Sequence, residues 1–91
     1  MPERRAVVAS RVGLHARPAA LFVQAAARQP VKVMIAKGGK HPVDARSILA
    51  VLGLDVRGGE EVVLAAEGDG AEQALDELVA VVETDHDRAE R

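Results

Sequence analysis

The stretch E-V-V-L-A-A-E-G-D-G-A-E-Q-A-L-D-E-L-V-A-V-V, residues 61–82, holds the two clearest hydrophobic patterns in the chain. Its first seven residues are a nearly continuous apolar run bounded by glutamates, which predicts a strand at the centre of a sheet. The G-D-G that follows is a turn. Beyond it Ala74, Leu75, Leu78, Val79 and Val82 recur at helical spacing and predict an amphipathic helix over 71–83. A buried strand feeding a one-faced helix calls for a second layer, with helices laid on a sheet.

Working outward, R-G-G-E (57–60) reads as a turn, and a short helix is expected over 47–52. Asp44 and Ser47 are both candidate N-caps for that helix, and Gly53 is its stop. K-G-G-K (37–40) joins a strand at 31–36 to a short one at 41–43, where Pro42 restricts pairing to an edge or bulge. Residues 16–28 predict a helix with an apolar stripe through Pro18, Leu21, Phe22 and Ala25, and Pro18 must fall in its first turn. Residues 4–9 supply the first strand. The order β-α-β-β-α-β-α predicts an α+β sandwich of two layers, with helices on one face of a mostly antiparallel four-stranded sheet.

The 91 residues are expected to form one domain spanning 1–91, with a polar end, 84–91, that frays. Hydrophobic residues make up 48% and charged ones 29%, a globular balance, although Phe22 is the only aromatic. The absence of cysteine excludes disulfides, thiolate metal sites and a cysteine nucleophile. No signal-type apolar segment and no run near about 18 apolar residues occurs, so a cytoplasmic protein without membrane insertion is expected. A net charge of −2, with neither a basic stripe nor stacking aromatics, argues against nucleic acid. His41 and His86 read as solvated. His86, between Asp85 and Asp87, is too sparse a cluster to suggest a metal, and no cofactor is expected.

The chemistry concentrates in V-G-L-H-A-R-P-A-A (12–20). A helix opening here has no Ser, Thr, Asp or Asn between Arg11 and Pro18 to cap it, and His15 stands where the cap belongs. Proline brings no N–H, which leaves the backbone N–H groups of Ala16 and Arg17 nearest the imidazole. An uncapped helix start with a positive dipole end suits phosphate, and the Arg17 guanidinium can engage two phosphate oxygens. Gly13 lets the loop curl and leave the imidazole exposed. A neutral imidazole facing such a seat is a candidate to carry a phosphoryl group itself, since phosphoryl transfer is mostly positioning and charge stabilisation. The plain alternative is an exposed loop histidine beside a solvated arginine.

G-L-H-A-R-P-A resembles the active-site signature of the histidine-containing phosphocarrier (HPr) family of the bacterial phosphoenolpyruvate-dependent sugar phosphotransferase system. R-S-I-L-A-V-L-G-L resembles the family's second helix, and G-G-E-E-V-V-L-A-A-E-G its last strand and turn. The resemblance implies an open-faced sandwich of three helices on a four-stranded antiparallel sheet. It implies that His15 accepts a phosphoryl group on Nδ1 (the pros nitrogen) from phosphorylated enzyme I and passes it to IIA domains of sugar permeases. Arg17 would assist, and Ile48, Leu49 and Leu52 would dock partners, although at least one or two of these three are also expected in the core. The chain is expected to be a phosphoryl carrier rather than an autonomous enzyme, and a monomer. Ser47, an N-cap by position, matches a serine that some members have phosphorylated by an ATP-dependent kinase; an HPr kinase/phosphorylase and a transcriptional regulator are the further partners this resemblance suggests. A phosphoryl dianion there would suit the helix start yet repel an acidic partner. Val12, Asp55, Gln24 and Ala27 depart from the common pattern, Asp55 standing where glycine is usual. Other readings are a nitrogen-type regulatory phosphotransferase carrier, away from which the proline of A-R-P-A leans, a regulatory binding module, and a generic α+β domain without phosphotransfer.

Overall fold

In a computed structural model of the chain, which describes residues 2–9 and 13–84, the elements run β1 (Glu3–Val7), α1 (Ala16–Ala27), β2 (Val33–Lys37), β3 (Val43–Asp44), α2 (Ile48–Gly53), β4 (Glu61–Ala66) and α3 (Ala71–Val82). Ser10, Val12, His86 and the tail beyond Thr84 lie outside the described residues. All pairings are antiparallel and the sheet order is β1-β4-β2-β3. β4 is therefore central, as its apolar run requires. Leu64 faces Arg4 on β1 and Ile35 on β2, and Ala66 faces Val33.

Strand side chains alternate between faces, so one sheet face gathers Val62, Leu64, Ala66, Val33, Ile35 and Ala6, all essentially buried. Val63, Ala65 and Met34 on the other face stay half-exposed. The helices thus cover one side only, giving the open-faced sandwich. α3 buries Ala71, Ala74, Leu75, Leu78 and Val82, and Val79 is only partly covered. α1 buries Pro18, Ala19, Phe22, Ala25 and Ala26. Its stripe is thus rotated from the expected one: Ala19 and Ala26 are inside while Leu21 is half-exposed. Small side chains let this helix lie close to its neighbours, and Phe22, wholly buried, contributes about 1.5–3 kcal/mol of transfer free energy.

β3 is two residues long and pairs through Val43 and Asp44 rather than 41–43, at the sheet edge. Of the two candidate caps only Ser47 serves: its Oγ accepts from the Ala50 N–H at 3.3 Å. Asp44 instead closes the turn before α2. Its Oδ1 accepts from the Arg46 N–H at 2.9 Å, and its carboxylate pairs with the Arg46 guanidinium at 3.1 Å. The side-chain hydrogen bond from Arg46, then its backbone N–H, holds the Asp44 carboxyl below its ordinary value of 3.8. A carboxyl depressed by folding stabilises the native state fully above its unfolded value and loses that contribution as pH falls through the folded one. The gap in urea midpoint between wild type and Asp44→Asn should therefore be constant above about pH 5 and close below 3.8. A gap independent of pH would show that the carboxylate charge does not act in the turn.

Candidate functional site

β1 and β4 continue pairing past their formal ends, since the Val8 N–H donates to Glu60 O at 3.0 Å and the Gly59 N–H to Val8 O at 2.9 Å. This brings the exit of β1 beside the segment that enters β4. The segment carries Leu54 and Val56, both buried, with Asp55 between them at φ 53°. It is braced from behind by Lys37. The Lys37 ammonium donates to Asp55 O at 2.8 Å and pairs with Glu60 at 3.2 Å. Glu60 Oε1 in turn accepts from the Arg57 N–H at 2.8 Å. That backbone bond first, and Lys37 second, keep the Glu60 carboxyl below the usual range.

Gly13 and Leu14 seat on this braced segment. The Leu14 N–H donates to Val56 O at 2.9 Å, and the Leu14 side chain is buried. Gly13 has φ 79°, and a methyl group there would run into the Val56 carbonyl oxygen with Arg57 Cα at 2.6 Å. Only glycine fits both the backbone angle and the space.

His15 follows as the N-cap of α1, extended at φ −117° and ψ 164°, and its exposed side chain makes no capping hydrogen bond. The first intrahelical bond is Ala19 N–H to His15 O at 3.1 Å. The amides of Ala16 and Arg17 thus precede the helical ladder, Pro18 has none to offer, and no acidic residue sits in the first turn. This is the dipole end that favours an anion. Arg17 is exposed in that same turn. The imidazole opens on a cleft of about 250 Å³ lined by Leu14, His15, Leu52, Asp55, Val56, Arg57 and Gly58.

Helix α2 borders the cleft through Leu52, which is half-buried and packs on the core. Leu49 is 79% exposed and Ile48 37%. The wholly buried residue of α2 is Val51, so the expectation that one or two of Ile48, Leu49 and Leu52 would be core residues holds only for the buried side of Leu52. Ser47 is exposed at the start of the same helix, as are Gln24, Ala27 and His41 elsewhere. Asp55, Val56 and Arg57 were not expected to line the cleft. The D-V-R-G-G-E string signals only a polar turn, and its approach to Gly13 is a tertiary contact with no local signature. Among the described residues no cluster of three His, Asp or Glu could hold a metal, and no helix is long and apolar enough to cross a membrane.

The family model for the PTS HPr component phosphorylation site matches residues 2–84. The phosphocarrier protein HPr of Streptomyces coelicolor is 55% identical over 82 residues, covering 90% of this chain and 88% of that one. The chain belongs to the HPr family. Other HPr relatives bear on fold and role. The crystal structure of HPr from Thermoanaerobacter tengcongensis superposes with a TM-score of 0.84 at 42% identity, covering 91% of this chain and 92% of that one. The HPr-like protein Crh of Bacillus subtilis is 43% identical over 83 residues, 91% of this chain and 96% of its own. The chain is thus an HPr-type phosphocarrier on the HPr fold.

Proposed function

We propose that the chain is the sugar-type carrier: His15 accepts a phosphoryl group from phosphorylated enzyme I and hands it to IIA domains of sugar permeases, in the cytoplasm. The observation that supports this most is the position of His15, which lines the cleft as the N-cap of α1, makes no capping hydrogen bond and directly precedes the Ala16 and Arg17 amides. The unprotonated Nδ1 attacks phosphorus while its proton stays on Nε2. The donor's bond to phosphorus breaks and its electron pair leaves with the donor, so no further proton need move. Transfer onward reverses the step, with Nδ1 as leaving group. Backbone amides at the helix start and the Arg17 guanidinium stabilise the charge on the phosphoryl oxygens. Ile48, Leu49 and Leu52 give a partner an apolar surface next to the cargo. Ser47, exposed and capping α2, is the regulatory phosphorylation site in this reading, and a dianion there would repel an acidic partner without unfolding the helix.

A second, regulatory reading draws on the Crh relatives, one of which is described as a catabolite repression HPr at 39% identity. Solved structures of Crh and of the Thermoanaerobacter protein are also described as dimers.

Incubation with enzyme I and labelled phosphoenolpyruvate, followed by a sugar-type IIA domain or a nitrogen-type acceptor, tests the proposal. Acid-labile, alkali-stable label that moves to the IIA domain supports it. Label that moves only to the nitrogen-type acceptor overturns the sugar assignment, and absence of label overturns the carrier reading. In the same assay Arg17→Ala should slow transfer by about 10²–10³-fold with its melting temperature retained, the usual effect of deleting one charge-stabilising donor. A wild-type rate would make Arg17 a solvated neighbour.

A further inference from the structure

Arg57 lines the cleft together with His15. Its backbone is packed against Gly13, two residues before His15, and fixed by the bond from its N–H to Glu60. The side chain is therefore the only part of this residue with freedom to move. It is 76% exposed and pairs with the Asp55 carboxylate at 3.6 Å, itself 71% exposed. Exposed pairs of this kind are worth little and exchange readily. Both members line the cleft together with His15.

We propose that Arg57 grips the phosphoryl group, and that Asp55 is a placeholder that holds the guanidinium until His15 is charged. This rests on His15 being the phosphoryl acceptor. Carboxylate and phosphoryl oxygens accept the same paired N–H donors of a guanidinium, so one can replace the other. The phosphoryl group carries more charge than a carboxylate and draws Arg57 away from Asp55. No covalent bond changes in this exchange, which swaps one ion-pair partner for another. Without Arg57 the cleft would set the Asp55 carboxylate near a dianion with no cation from this loop between them. Asp55 and Arg57 thus act as one device. Asp55 opposes charging, and Arg57 favours it.

The test is the phosphorylated fraction at equilibrium with enzyme I at a fixed ratio of phosphoenolpyruvate to pyruvate, read by intact-protein mass spectrometry. Arg57→Gln should lower the ratio of charged to uncharged protein about five- to tenfold, and Arg57→Lys should recover part of it. Asp55→Asn should raise that ratio, and asparagine tolerates the left-handed backbone at this position, so the fold is kept. In the Arg57→Gln background Asp55→Asn should still raise the ratio, since the carboxylate there faces the dianion with no guanidinium between them. A structural role would not move the Arg57 Nε–Hε NMR signal when wild type is charged, and the proposal requires that it move. If wild type is charged on His15 while Arg57→Gln leaves the ratio unchanged, the role of Arg57 is overturned and the carrier reading stands. If wild type takes up no phosphoryl group on His15, both fall.

Discussion

Replacing His15 with alanine is expected to abolish labelling from phosphoenolpyruvate and enzyme I, while the protein melts within a few degrees of wild type. The first half follows from chemistry: no other side chain in the cleft offers a neutral nitrogen nucleophile, since its remaining nitrogens belong to the Arg57 guanidinium and to amides. The second half follows from geometry. The imidazole is exposed and forms no capping bond, so its removal leaves no buried partner unsatisfied and costs within about 0.5 kcal/mol. Acid-labile label that persists in His15→Ala would place the cargo elsewhere, and circular dichroism on the same sample separates that result from unfolding.

Gly13→Ala is expected to be the most damaging single-methyl change near the site. Placing alanine at φ 79° costs about 1–2 kcal/mol. The added methyl also collides with the Val56 carbonyl and Arg57 Cα, which are backbone atoms with no rotamer to yield, adding about 1–3 kcal/mol. A central value near ~3 kcal/mol lowers the melting temperature by roughly 10–25 °C in a domain of this size. Gly39→Ala is the internal control. Its φ is also 79°, but nothing lies within 4 Å of the added carbon, so it suffers only the backbone cost. The difference between the two variants measures the seating of the loop on Val56. Equal losses would show that the loop is not packed there. Gly13→Ala should also slow transfer even where it remains folded, because Leu14 and His15 move with residue 13.

What could be read from the chain follows the range of the interactions concerned. β4 and α3 were clear because each is specified by its own periodicity, and the three glycine-bearing turns close as expected, with Lys40 N–H to Lys37 O at 2.9 Å, Glu60 N–H to Arg57 O at 3.0 Å and Ala71 N–H to Gly68 O at 3.1 Å. The uncapped start of α1 was equally local, since a missing Ser or Asp is visible in the string. The rotated face of α1 was not, because ranking Leu21 above Ala19 by hydrophobicity ignores how closely two helices approach. The K-G-G-K turn suggests pairing from residue 41, but Pro42 has no N–H to give and the ladder begins after it. Asp44 became a turn residue once Arg46 gave it both a backbone and a side-chain donor. The far wall of the cleft could not be read at all. Nothing near Val56 announces that its carbonyl will meet Leu14.

The extended pairing of β1 with β4 bears on when the site comes into being during synthesis. His15 leaves the ribosome early, but Val56 and Arg57 come later, and β4, which draws them beside β1, later still. A nascent chain, or one in which β4 has peeled from β1, presents the histidine without the wall that frames it. Forming that wall means closing a long loop, so it comes together with the central strand rather than before it. An incomplete or partly opened molecule therefore makes a poor substrate for a phosphoryl donor, and the topology itself ties charging to having folded.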